Sequence, residues 1–162
     1  MTERPTTWVG LWLQAMFSDD WVRTEKLRTR LNSGSPKGWT LDEPAVVRAA
    51  FDLAMDRYFD GRYGPPEVEA FAARLREAAG EQDKIIEVNL VQRLIRQSLR
   101  GEGRRPDDPN VRVMQHTNLA ALKLATMESG MTEPEITSLI CQAEDLARSR
   151  GWNPPPGPYQ RI

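Results

Sequence analysis

Twelve prolines punctuate this 162-residue chain, and none falls deep inside a periodic apolar segment. Proline lacks the backbone N–H and its ring clashes with the preceding helical turn, so it is tolerated between helices or in their first turn. Between these breaks the apolar residues recur every three or four positions rather than every second one. Leucine and alanine outnumber valine and isoleucine, a preference that favours helix over sheet. No segment alternates in the manner of a strand. The chain is therefore predicted to be all-α: a single-domain bundle of about seven helices over residues 1–151, followed by a proline-rich extended tail, 152–162.

The first helix is predicted over Thr6 to Phe17 and the second over Asp19 to Leu31, with Ser18 as its N-cap. A Ser-, Gly- and Pro-bearing loop, Asn32 to Trp39, leads to a capping-box pattern at Thr40 and Glu43 that opens the third helix, to Phe59. The fourth runs from Pro66 to Ala79, the fifth from Gln82 to Arg100, and the sixth from Pro109 to Ser129. A second capping box, Thr132 with Glu135, opens the seventh, which ends before Gly151. Pro66-Glu67-Val68 echoes Pro134-Glu135-Ile136, but proline and glutamate suit any helix start, and the match is too short to establish a repeat.

The seventh helix carries one clean stripe, Ile136, Leu139, Ile140, Ala143, Leu146 and Ala147, which puts it on the surface of the core. Cys141 lies off that stripe, which predicts an accessible thiol. The apolar arc of the fifth helix exceeds half its circumference, and the sixth is apolar almost all round, from Val113 to Met127. The fifth and sixth helices are accordingly expected to be central.

With one cysteine and one histidine, His116, the chain has neither an internal disulfide nor a multi-Cys zinc site, and no His-based cluster. Phosphate loops, zinc-binding His/Glu pairs and nucleophile elbows are absent from the sequence. No cofactor, metal or small-molecule ligand is therefore expected. The apolar stretch Thr7 to Phe17 falls short of the roughly 20 residues that span a bilayer. It also lacks the flanks of a secretory signal, so the expected location is cytoplasmic. At 40% apolar and 28% charged, with a net charge of -1, the composition is that of a globular protein without an overall polyelectrolyte character.

Four of the five tryptophans lie in the first 40 residues. In the first helix only Gly10 and Gln14 interrupt the apolar sequence, and each large side chain left in water forfeits about 1.5–3 kcal/mol of burial. Either the remaining helices wrap this segment, or a partner covers its outer side through Trp8, Leu11, Trp12, Met16, Phe17 and the nearby Trp21. The simplest such partner is a second copy.

Two basic stripes follow the helical repeat: Arg23, Lys26 and Arg30 in the second helix, and Arg93, Arg96 and Arg100 in the fifth, extended by Arg104 and Arg105. Cations so spaced, near an aromatic, suit a nucleic-acid backbone, and equally an ordinary solvated face. Asp52, Asp56 and Asp60 form an acidic stripe on the third helix, open to pairing with the arginines of the fifth. Three carboxylates stacked along one helix converge poorly on a metal ion. Gly130-Met131-Thr132 with Glu135-Ile136 resembles the first part of a helix-turn-helix, but the helix that follows runs on to Arg150 with no separate recognition helix. The tail, with Pro154, Pro155, Pro156 and Pro158, should be extended and loosely held.

The function that fits best is a non-catalytic protein–protein interaction or adaptor module that self-associates. Two alternatives stay open: a nucleic-acid-binding regulator using the basic stripes, and an enzyme built on the carboxylates of the third helix.

Overall fold

The computed structural model describes residues 3–33, 42–61, 64–101 and 111–158, and among these the chain is helical, with no strand beyond one isolated bridge. Seven helices follow one another: α1 (Trp8–Phe17), α2 (Trp21–Ser33), α3 (Asp42–Phe59), α4 (Pro65–Ala79), α5 (Val88–Leu99), α6 (Val111–Glu128) and α7 (Glu133–Ser149). They form two compact units. Met1–Ala50 joins Met131–Ile162 in the first, and Phe51–Gly130 makes the second, so α3 supplies residues to both.

In the first unit α1 packs against α2 and α7. Thr7 caps α1 by accepting from Gly10 N–H at 2.9 Å. At the other end Ser18 closes α1, its N–H and hydroxyl both donating to the Gln14 carbonyl. Asp19 then turns the chain with a positive φ of 56°, a conformation that acidic and amide residues accept more readily than most. The cap of α2 is consequently Asp20, whose carboxylate accepts from Arg23 N–H at 3.1 Å, and not the expected Ser18. Thr24, Leu27 and Leu31 form the buried stripe of α2.

α7 opens on the complete capping box of Thr132 and Glu135. Its buried arc is wider than the single stripe predicted, because Cys141 and Glu144 are buried along with Leu139, Ile140, Ala143 and Ala147. The thiol expected at the surface is therefore inside. The tail is also held, contrary to the loose terminus expected, as far as Gly157. Gly157 N–H donates to the Thr6 carbonyl at 2.7 Å, Trp8 N–H donates to the Pro155 carbonyl at 3.3 Å, and Thr7 bridges Pro156. Asn153 N–H adds a bond to the Asp42 carboxylate. A proline-rich segment has few N–H groups of its own, but its carbonyls still accept from a neighbouring chain.

In the second unit α4 packs against α5 and α6, and α5 against α6. Val68, Phe71, Ala72 and Leu75 of α4 meet a core that includes Phe51, Met55 and Phe59 from α3 and Val91, Leu94 and Ile95 from α5. The Tyr58, Phe59 and Phe71 rings meet edge to face, with centroids 4.9–5.8 Å apart. α5 starts six residues later than predicted. The Asp83 carboxylate accepts from Ile85 N–H, and Arg76 donates to the carbonyls of Gly80 and Asp83, so this stretch is a hydrogen-bonded turn that still buries Ile86. Among the described side chains of α6 the buried ones are Met114, Thr117, Asn118, Ala121, Leu122, Ala125 and Thr126, a single stripe at three- and four-residue spacing. The sixth helix is thus not apolar-packed all round: Met127 is 67% exposed, and His116 also lies at the surface.

Candidate interaction surface

The two tryptophan-bearing helices of the first unit place their aromatic residues differently. Leu11 and Trp12 of α1 are buried among their own chain, while Trp8, Met16 and Phe17 are half-buried. While α1 keeps this packing, Leu11 and Trp12 have no surface to offer a partner. The Trp8 ring lies under the Arg30 guanidinium, 4.5 Å from its centroid, so one member of the basic stripe is engaged with one of the aromatics.

What seats α1 is a polar feature that the sequence reading missed. Glu144 is fully buried, and its carboxylate accepts from Thr6 N–H at 3.0 Å, from Thr7 N–H at 2.7 Å and from the Thr7 hydroxyl. Arg148 reaches the same segment, donating to the Thr6 hydroxyl at 2.7 Å, and Gln14 donates to the Thr137 hydroxyl at 3.2 Å. A carboxylate in the interior is tolerated only when hydrogen-bonded on several sides, and the free N–H groups at a helix start provide that. Gly10 leaves the room: a Cβ there would stand 2.5 Å from Glu144 Oε2 and 2.8 Å from Pro5 Cβ. The signal was present in the sequence, because Glu144 falls between Ala143 and Ala147 in the apolar register of α7.

α2 presents the opposite picture. Trp21 is 54% exposed and Val22 70%, making its first turn an apolar corner in water. Lys26, Arg28 and Arg30 are exposed further along, Arg23 is half-buried, and Glu25 pairs with Arg28 at 3.1 Å. Of the residues named as a contact surface from sequence, Trp21 is the one that stands most open.

Among the described residues the other candidates lie apart from one another. Arg93 is exposed on α5 and Arg100 just past its end, and the half-buried Arg96 donates to Gln92 at 3.3 Å. Arg104 and Arg105, like Thr40 of the first capping box, lie outside the described residues. Asp52 meets α5 by accepting from the Ser98 hydroxyl at 2.6 Å. Asp56 is exposed, and Asp60 sits beyond the end of α3 with a positive φ of 44°, so the three aspartates do not form one continuous helical stripe. Among the described residues no group of three or more His, Cys, Asp or Glu side chains is arranged to hold a metal ion, and no helix is long and apolar enough to cross a membrane.

Two polar clusters in the second unit fasten helices. Glu128 accepts from the Tyr58 hydroxyl at 2.6 Å and from Arg74 at 2.9 and 3.1 Å, and Arg74 also donates to the Tyr58 oxygen at 2.8 Å. The Arg74 hydrogen bond pulls the Glu128 carboxyl below its ordinary value, while burial and the bond to Glu128 push the Tyr58 hydroxyl up. His116 Nε2 and Asp83 Oδ2 lie 2.8 Å apart, and that bond lowers the Asp83 carboxyl. Each cluster links residues distant in sequence, which is what a structural bond between elements does.

No protein-family model matches the chain, and neither a curated protein nor a solved structure is significantly similar to it.

Proposed function

We propose that this chain is a non-catalytic helical interaction module whose contact surface is the first turn of α2. The observation that carries this reading is the adjacent exposed pair Trp21 and Val22, on a helix whose other apolar residues, Leu27 and Leu31, are buried. Large side chains are held in water at a cost in stability, and a partner that covers them recovers it. Tryptophan in particular is enriched where proteins meet. The role expected for α1 as a self-association surface passes to this corner, because Leu11 and Trp12 are already covered.

The test is a photo-activated crosslinker in place of Val22, with a second chain carrying it at the exposed Glu69 as control. In the native host the chain labelled at 22 forms a discrete protein adduct, Trp21→Ser weakens it, and the chain labelled at 69 forms none. No adduct at 22, or the same adducts at both positions, would refute the reading.

A further inference from the structure

We propose that residues 153–157 form an exchangeable arm, hinged at Gly151, that seats on the α1 entry of a second copy of the chain as it does on its own. This contact is separate from the α2 corner and does not depend on it. The arm docks as a peptide would. Asn153 N–H donates to the Asp42 carboxylate at 3.2 Å, the Pro155 carbonyl accepts from Trp8 N–H at 3.3 Å, and Gly157 N–H donates to the Thr6 carbonyl at 2.7 Å. These three bonds all go to the N-terminal part of the first unit rather than to α7, the helix that carries the arm. Pro154 is buried, and Gly157 lies so close over α1 that a Cβ there would stand 3.2 Å from Leu11 Cδ1 and 3.3 Å from the Thr7 carbonyl carbon. The seat is fastened from its other side: the N–H groups of Thr6 and Thr7 bond to Glu144, while the Thr6 carbonyl and Trp8 N–H face the arm. Thr7 is extended, with φ -115° and ψ 157°, the backbone that strand-like pairing requires.

The choice between its own seat and that of a mate falls on one residue. α7 ends in a turn where Gly151 N–H donates to the Arg148 carbonyl and Trp152 N–H to the Ala147 carbonyl, the bond that folds a chain back after a helix. Gly151 has a φ of 91°, which favours glycine, and nothing stands within 4 Å of the position of an added Cβ. At a negative φ there, the arm leaves α7 in a different direction. The arm needs no refolding to exchange. Three successive prolines hold φ at about -65°, and Asn153, preceding a proline, prefers extended backbone, so the segment is extended whether docked or free. A second copy is the occupant whose fit the closed chain already displays, because its arm has the same residues. Mutual exchange conserves every bond and closes as a two-fold dimer. The tethered arm competes at an effective concentration of about millimolar, so the parent exchanges when concentrated, and strain at Gly151 tips the balance further.

The full chain with a photo-activated crosslinker in place of the exposed Pro156 tests this. Isotope-labelled and unlabelled chains are mixed, unfolded, refolded together and irradiated. Crosslinks within a chain join peptides of one isotope, whereas exchange gives mixed pairs between the arm and Thr6 to Leu11. In Gly151→Ala, whose methyl group meets backbone strain alone, the dimer fraction at a fixed concentration should rise about tenfold or more over the parent, with mixed pairs. Mixed pairs should also appear in the parent near millimolar concentration. Gly151→Asn, which accepts a positive φ more readily than alanine, should stay close to the parent. Gly151→Ala/Gly157→Val, whose arm no longer fits over Leu11, should be monomeric. Pairs of one isotope alone, in Gly151→Ala and in the concentrated parent, overturn the inference, and the concentrated parent decides if Gly151→Ala fails to fold. So does a dimer that survives Gly157→Val, or one without mixed pairs that dissociates in Trp21→Ser/Val22→Ser, which would place self-association at the α2 corner. The adduct at residue 22 is read at a different position, so the two readings fail separately.

Discussion

α1 and α2 are neighbours in sequence, pack on each other, and both begin with tryptophan, yet one is enclosed and the other is open. α1 has the more apolar sequence, and apolarity alone marked it as a surface in need of cover. It is covered from within: Glu144 and Arg148 of α7 hold its entry segment, and the carbonyl of Pro155 and N–H of Gly157 in the tail bind the same few residues. α2 has a weaker apolar pattern, and its first turn, capped by Asp20, leaves Trp21 and Val22 exposed. Density of tryptophan thus says how much area must be buried, while the polar bonds at a helix end decide where.

Breaking the enclosure of α1 should give the largest effect. Glu144→Gln keeps the shape but replaces one acceptor oxygen with a donor facing donors, and should destabilise the fold by about 2–4 kcal/mol in chemical denaturation. Stability unchanged from the parent would mean that α1 is held by its apolar contacts alone. Gly10→Ala crowds the same place by steric contact and should cost about 1–3 kcal/mol, since Pro5 and the bonded carboxylate have little freedom to yield.

Smaller effects are expected in the second unit. The Thr117 hydroxyl on the buried stripe of α6 finds no hydrogen-bond partner among the described residues. Thr117→Val removes a desolvated polar group while keeping the shape, and should leave stability unchanged or raise it by up to about 1 kcal/mol in thermal unfolding. A clear loss would show that the hydroxyl is engaged.

The smallest effect is in pH dependence. The folded-state pKa of Glu128 lies below its unfolded value because Arg74 donates to the carboxylate, so in that interval the unfolded chain binds the proton more tightly. Its contribution to stability is complete above about pH 4.5 and is lost as pH falls through the depressed folded value. Glu128→Gln should flatten the acid limb of the stability–pH curve and leave its neutral plateau lower; an unchanged acid limb would contradict the assignment.

Most of the helices were legible because their signals are local. Gly80, the Thr132–Glu135 box and the prolines at helix starts act within a few residues, and each marks a boundary close to where it was expected. The N-cap of α2 was misplaced because two polar residues compete within one short turn, and the positive φ of Asp19 decides for Asp20. The early start predicted for α5 counted Ile86 into a helical stripe, whereas the Arg76 and Asp83 bonds let a turn bury it equally well. Contacts between segments at opposite ends of the sequence left no such trace. Glu144 binds Thr6 across 138 residues, and only its place in an apolar register hinted at burial. Trp21 was named on account of its neighbours in α1, and it is exposed because it does not share their environment.

Fluorine NMR of the chain labelled with fluorotryptophan, in the presence of a soluble gadolinium chelate, sets the two helices side by side in one spectrum. The Trp21 resonance should broaden strongly and the Trp12 resonance little. A Trp12 signal as accessible as that of Trp21 would return the contact surface to α1 and contradict the account.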